Sequence, residues 1–258
     1  MADFVQLVNG LGDKDPKTYF EGFFTRSVFK DYQIDESAEK DARQAIKTMF
    51  TSSKDLFDRV DLAFDRDPLC LEAFFVYFML SEDIFVQQRF EAYYEHLSDY
   101  GDLSSYQKHC FLTILAFYCD FLMDLHNFTR AIKVQRQVIR LSGELSKGDV
   151  NRLSFMYSVI EEADDFYRLY LDSEFDAYDY ILLTVTLLKH EDTLRAREVL
   201  LDMMEHIEYA SYLDHMWDLD EKDEKQKQFI DTVDELYDTI CSVPDFFSFA
   251  GMVQEETL

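Results

Sequence analysis

Along most of this 258-residue chain, apolar residues return every three or four positions, the period of a helix with one buried face. Ala38, Ala42, Ala45, Ile46 and Met49 share one face of a helix opening near Glu36. Ser52 with Asp55 three residues later reads as a capping box. The helix it opens carries Leu56, Val60, Ala63 and Phe64 and stops at Asp67-Pro68. A strongly apolar helix is expected over 69–80. Ser81 caps another, bearing Ile84, Phe85, Phe90, Tyr94 and Leu97, which closes near Gly101.

Ser104 and Gln107 form a second capping box, and the helix behind them, to about Met123, is apolar almost all round. His126-Asn127 ends that run. The next helix carries Ala131, Val134, Gln135, Val138 and Leu141 and ends at Ser142-Gly143. Further helices are expected over 149–160, 163–171, 177–189, 193–207, 209–219 and 224–241. The first 35 residues are the least regular. Asp15-Pro16 there reads as a cap and first-turn proline for a short helix through Lys30. The tail after Pro244 reads as loosely held, with Phe246, Phe247 and Phe249 able to pack back.

So many short helices invite a test for repetition. Leu115, Tyr118, Cys119, Leu122, Ala131, Gln135 and Val138 align without gaps on Tyr180, Leu183, Thr184, Leu187, Ala196, Leu200 and Met203. Ala131 and Ala196 lie 65 residues apart, close to two repeats of about 34. Ala63 and Pro68 close an earlier unit at Asp65-Arg66-Asp67-Pro68. These residues resemble the tetratricopeptide repeat over about 36–207. Two departures stand out: Phe78 sits where a small residue belongs, and Asp164 takes that place in the 149–171 unit.

The resemblance implies an all-α fold in which antiparallel helix pairs stack as a short right-handed solenoid. Residues 1–35 would form an N-terminal cap, 36–207 the repeat-like pairs, 208–243 the C-terminal capping helices and 244–258 the tail, all in one domain. It also implies a concave groove lined by the first helix of each pair. Its positions here are Glu72, Phe75 and Met79; Thr113, Asp120 and Asp124; Asn151 and Ser154; and Tyr178, Ile181 and Val185.

Composition narrows the reading. Apolar residues make up 48% of the chain, enough for a sizeable core, while seven Gly and three Pro are too few for the turns of an all-β fold. The 25 Lys and Arg face 52 Asp and Glu, a formal net charge of -27. Such a field repels phosphate backbones and anionic lipid heads and attracts basic partners. The expected partner is therefore a basic protein or peptide, not nucleic acid or a membrane; homodimerisation stays open. An acidic imitation of DNA that sequesters a nucleic-acid-binding protein is the alternative.

Candidate chemistry is sparse. Cys70, Cys110, Cys119 and Cys241 form no CxxC pair, and the first three sit in apolar runs, as buried thiols do. With no basic, apolar leader at the N-terminus, these thiols suggest a cytoplasmic protein. Asp202 with His206, and Asp214 with His215 and Asp218, are the closest approaches to cation-binding spacing, but no HExxH or repeated Glu-x-x-His occurs. The stretch from Asp218 begins like a calcium loop and fails: Asp223 occupies the glycine position and Phe229 the bidentate glutamate position. No Gly-rich phosphate cradle or G-x-S-x-G elbow appears. The expectation is a chain without cofactor, metal or catalytic residues, with an enzyme of unrecognised site as the remaining possibility.

Overall fold

The computed structural model describes residues 36–48, 56–66, 70–80, 105–220 and 222–255. Every regular element among them is helical: α1 (Glu36–Thr48), α2 (Leu56–Arg66), α3 (Leu71–Leu80), α4 (Ser105–Asp124), α5 (Phe128–Ser142), α6 (Lys147–Ile160), α7 (Ala163–Asp172), α8 (Ala177–Lys189), α9 (Thr193–His206), α10 (Glu224–Glu235), α11 (Tyr237–Cys241) and α12 (Phe246–Glu255). Short 3-10 turns lie at Ala210–Tyr212 and Met216–Asp218. The helices expected before Lys30 and between Ser81 and Gly101, and the capping boxes at Ser52 and Ser104, lie outside the described residues. The chain divides into two compact units, 1–121 and 122–258. The division falls inside α4, so no Gly- or Pro-rich linker marks it.

In the first unit, α1, α2 and α3 all touch one another. Ala38, Ala42 and Ala45 on α1 are fully buried, as are Val60 and Ala63 on α2. Small side chains at these positions let helix backbones approach closely, and Leu56, Leu71 and Phe74 fill the remaining space. One carboxylate is enclosed with them. Glu72 has no solvent exposure; it lies 3.5 Å from the Arg43 guanidinium and accepts from the Cys70 thiol at 3.7 Å. Burial pushes its carboxyl above the usual range.

In the second unit the same corner is built three times. His126, Glu161 and Glu191 adopt left-handed φ of 55°, 57° and 59°. The N–H of the following residue donates back five positions: Asn127 to Leu122 at 2.8 Å, Glu162 to Tyr157 at 3.0 Å, Asp192 to Leu187 at 3.0 Å. The left-handed residue itself donates three back, to Met123, Ser158 and Leu188. This is the Schellman arrangement, which satisfies carbonyls that a helix end leaves open. Asn127, Glu162 and Asp192 then act as first carbonyl acceptors of the next helix, from Ala131, Phe166 and Ala196 at 3.0 Å each.

That register revises one reading. The residue matching Ala131 and Ala196 in the middle unit is Phe166, not Asp164. All three have 0% exposure, whereas Asp164 is exposed and pairs with Arg195 at 2.9 Å. Here a ring fills the corner that alanine leaves to its neighbours. Phe166 lies 6.1 Å from the Tyr157 ring and 6.0 Å from that of Phe175.

Helix α8 is the centre of this unit. It touches α6, α7, α9, α10 and α11, and every residue from Asp179 to Leu187 is buried. Its buried hydroxyls bond within the helix, Thr184 to the Tyr180 carbonyl at 2.8 Å and Thr186 to the Leu182 carbonyl at 2.7 Å. Two C-terminal expectations change. Segment 209–219 holds two 3-10 turns instead of a helix. The tail is not loose: α12 packs on α9 and buries Phe246, Ala250 and Val253. At Gly251 the helix also passes close to Asp214, where a Cβ would lie 3.0 Å from Oδ2.

Replacing Ala131 or Ala196 with Leu should overpack the corner and cost about 1–3 kcal/mol, whereas Phe166→Ala should open a cavity and cost about 3–5 kcal/mol, both read from urea unfolding. Conversely, Glu191→Gly relieves a left-handed side chain and should stabilise by about 0.5 kcal/mol, visible as a raised Tm.

Candidate functional site: an open cleft at the C-terminal end

An open cleft of about 330 Å³ lies where the start of α8 (Asp176, Ala177, Tyr178) faces the end of α9 (His206, Ile207, Glu208, Tyr209) and α10 (Lys225, Gln228, Phe229, Thr232). Lys147 closes one side. Its lining holds the Tyr178, Tyr209 and Phe229 rings beside the His206 imidazole, and no serine or cysteine. Its size sits at the lower end of ligand pockets, and it is open, so it suits one or two side chains of a segment better than an enclosed small molecule. A second cleft of about 510 Å³ shares His206 and Ile207 and is lined further by Tyr170, Phe175, Tyr180 and Asp202.

Two reciprocal capping boxes place the polar side of the first cleft. Ser146 with Asp149 opens α6, and Asp176 with Asp179 opens α8, thirty residues apart. Asp176 accepts from the Asn151 amide at 3.1 Å and lies 3.0 Å from Lys147 Nζ. Burial opposes its charge, but the Asn151 and Lys147 donors hold its carboxyl below the usual range. On the other wall Lys225 Nζ donates to Glu208 at 2.9 Å. Both cleft carboxylates thus already hold a lysine. Burial pushes the Tyr178 phenol up to about 12, with the Glu235, Asp179 and Asp176 carboxylates adding to it.

Asp179, one turn into α8, has no solvent exposure. Its Oδ2 accepts from the Asp176 N–H at 3.2 Å, while Oδ1 and the nearby Ser154 Oγ both lack a partner of good hydrogen-bond geometry. Burial raises its carboxyl to about 7; Ser154 offsets this in part and the Asp176 charge adds to it. In sequence Asp179 is indistinguishable from any acidic residue in a first helical turn.

The eleven positions expected to line a groove fall differently. Glu72, Ser154, Ile181 and Val185 are fully buried and meet neighbouring helices, not solvent. Ile181 and Val185 lie on α8, which touches α10 and α11 as well as α6, α7 and α9. Phe75, Thr113 and Asp120 are half-buried and Asp124 is exposed; the Thr113 hydroxyl donates to the His109 carbonyl at 2.9 Å. The Met79 side chain lies outside the described residues. Asn151 and Tyr178 are half-buried, and both meet the polar end of the C-terminal cleft through Asp176 and Ala177. Tyr209, Phe229 and Lys225 were missed, because nothing local marks residues of different helices that converge.

Among the described residues, Asp202, Glu205 and His206 bring donor atoms within 4.8 Å of one another. Asp202 already accepts the Tyr180 hydroxyl at 2.7 Å, and His206 Nδ1 bonds the Asp202 carbonyl at 2.9 Å. Residues at i, i+3 and i+4 meet on any helix, so this is a solvated helical face. None of the four cysteines is in a disulfide; Cys70, Cys110 and Cys119 are buried and Cys241 is exposed. Among the described residues no helix is long and apolar enough to cross a membrane. No protein-family model, curated protein or solved structure matches the chain.

A carboxyl with a raised folded-state pKa favours folding below its ordinary value of 3.8, and that contribution is lost as pH rises through about 7. Asp179→Asn keeps an acceptor for the Asp176 N–H. Relative to the parent it should gain stability as pH rises from about 4 to about 7, at up to about 1.4 kcal/mol per pH unit, and level off above that, in urea titrations. Equal pH dependence of the two proteins would show that Asp179 does not titrate in this range.

Proposed function

We propose that this chain is a non-catalytic protein-interaction module. Its helix pairs stack in tetratricopeptide-like fashion, and it takes a basic segment with an aromatic or aliphatic anchor into the cleft beside Tyr178. One observation carries the reading: the aromatic-lined cleft is bordered by a strongly acidic stretch of its unit. Between 202 and 245 the chain holds fourteen Asp and Glu against Lys222, Lys225 and Lys227, with no arginine. An incoming Lys or Arg would compete with Lys225 for Glu208 and with Lys147 for Asp176, while its anchor covers Tyr178, Tyr209 and Phe229. Aromatic rings supply such contact area at small entropic cost.

The test is anisotropy of a labelled Lys-rich peptide with one Trp, titrated with the full chain. Affinity should fall steeply as salt rises, because exposed charges beyond a Debye length of about 8 Å are screened near physiological ionic strength. Tyr178→Ala should weaken binding roughly tenfold, the effect of removing one buried aromatic anchor. Asp124→Asn, at an exposed position of α4 outside the cleft, should change it less than twofold, roughly the effect of an exposed charge change. Equal loss from neutralising acids anywhere would favour an acidic mimic of nucleic acid. Binding that ignores both salt and Tyr178→Ala would end the proposal.

A further inference from the structure

One helix runs against the charge of the whole molecule. From Leu125 to Gly143 there is no Asp or Glu, although these make up 52 of 258 residues, and α5 carries Arg130, Lys133, Arg136 and Arg140. Its apolar face, including Ala131, Ile132 and Val134, is buried, which turns the bases outward: Lys133, Arg136 and Arg140 are exposed and Arg130 is half-buried. Folding brings Asp165 of α7 against this stripe at Arg136. Asp165 on α7 pairs with Arg136 at 2.9 Å, but it is shared with Arg168 at 3.0 Å, so the pair of helices keeps an excess of positive charge there. Lys133 and Arg140 have no ion pair among the described residues. A chain with twice as many acids as bases has left these two unpaired, while Asp164, Asp192 and Glu198 on neighbouring elements are all engaged with Arg195 or Tyr167.

We propose that the outer face of α5 is a second docking surface, for a glutamate- and aspartate-rich segment of a partner protein. Charge complementarity selects that occupant. The net charge of -27 does not forbid it, because acids more than about 8 Å away are screened at physiological salt and the local stripe decides. The dimensions fit a short extended segment: Arg130 to Arg140 spans about 15 Å at the helical rise, the reach of about five extended residues. Arginine forks at Arg136 and Arg140 match carboxylates in bidentate geometry. This face lies on a different helix from the cleft beside Tyr178 and would bind a partner of opposite charge.

The measurement is anisotropy of a fluorescein-labelled peptide containing five consecutive glutamates, titrated with the full chain at low and physiological salt. The same peptide with glutamine in place of glutamate, a single-stranded oligonucleotide and vesicles of anionic lipid are run beside it. We expect the glutamate peptide to bind and the glutamine peptide not to. Lys133→Glu with Arg140→Glu should weaken binding roughly tenfold or more, as reversal of two interfacial charges does. Lys133→Gln with Arg140→Gln should give a smaller loss in the same direction, which guards against a folding defect, and circular dichroism should stay unchanged. Binding of the Lys-rich peptide should be unaffected by either double variant, so failure of this surface and failure of the cleft are told apart. Undiminished binding in both variants, equal binding of the glutamine peptide, or capture of the oligonucleotide or vesicles in preference to the glutamate peptide would overturn the proposal.

Discussion

The second unit is organised around a helix that cannot face water on any side. Nine consecutive residues of α8 are buried, and a helix apolar all round is stable only when neighbours cover it completely. That requirement sets the arrangement. Helix α6 touches α8, α9 folds back on it through the Glu191 corner, and α7, α10 and α11 touch it as well. The polar groups carried inside follow the rule that buried donors need partners. Thr184 and Thr186 turn their hydroxyls onto carbonyls four residues back, and Gln135 at the α5–α6 contact donates to Asp149 at 2.6 Å. Asp179 only partly obeys it, and its proton affinity rises accordingly.

Surface charge in this molecule connects elements more than it stabilises them. Arg136 to Asp165, Asp164 to Arg195 and Tyr167 to Glu198 join α5, α7 and α9 across their outer faces. Exposed pairs of this kind contribute little each, about 0–1 kcal/mol, so hydrophobic burial sets the stability and the pairs register one helix against the next. Charge is also unevenly distributed within the unit. Acids crowd the C-terminal elements around the cleft, while α5 holds bases alone. The unit therefore carries surface stretches of opposite sign.

Much of the helical layout could be read from the chain. Helices α1 to α9 fall within two residues of the expected bounds, apart from unmarked ends outside the described residues. The misreadings share a cause. Segment 209–219 has a helical apolar spacing, yet Tyr209 at φ 72° and His215 interrupt it, so only 3-10 turns form. The tail after Pro244 reads as loosely held because nothing local fixes it, yet α12 packs on α9 and passes close to Asp214 at Gly251, both far back in the chain. Phe166 escaped the repeat alignment because a small residue was expected where the packing accepts a ring.

Period and cap chemistry are properties of neighbours in sequence. They were enough to assign an all-helical chain, its turn positions, its buried alanines at 131 and 196, and its buried thiols at 70, 110 and 119. Which faces meet is decided by residues thirty or more positions apart. Only the tertiary structure could show that Ile181 and Val185 are buried, that Asp179 is enclosed, and that Tyr178, Tyr209 and Phe229 converge on one cleft. A helical period specifies one apolar stripe but not the element that covers it, because any apolar stripe of similar width satisfies the same hydrophobic demand.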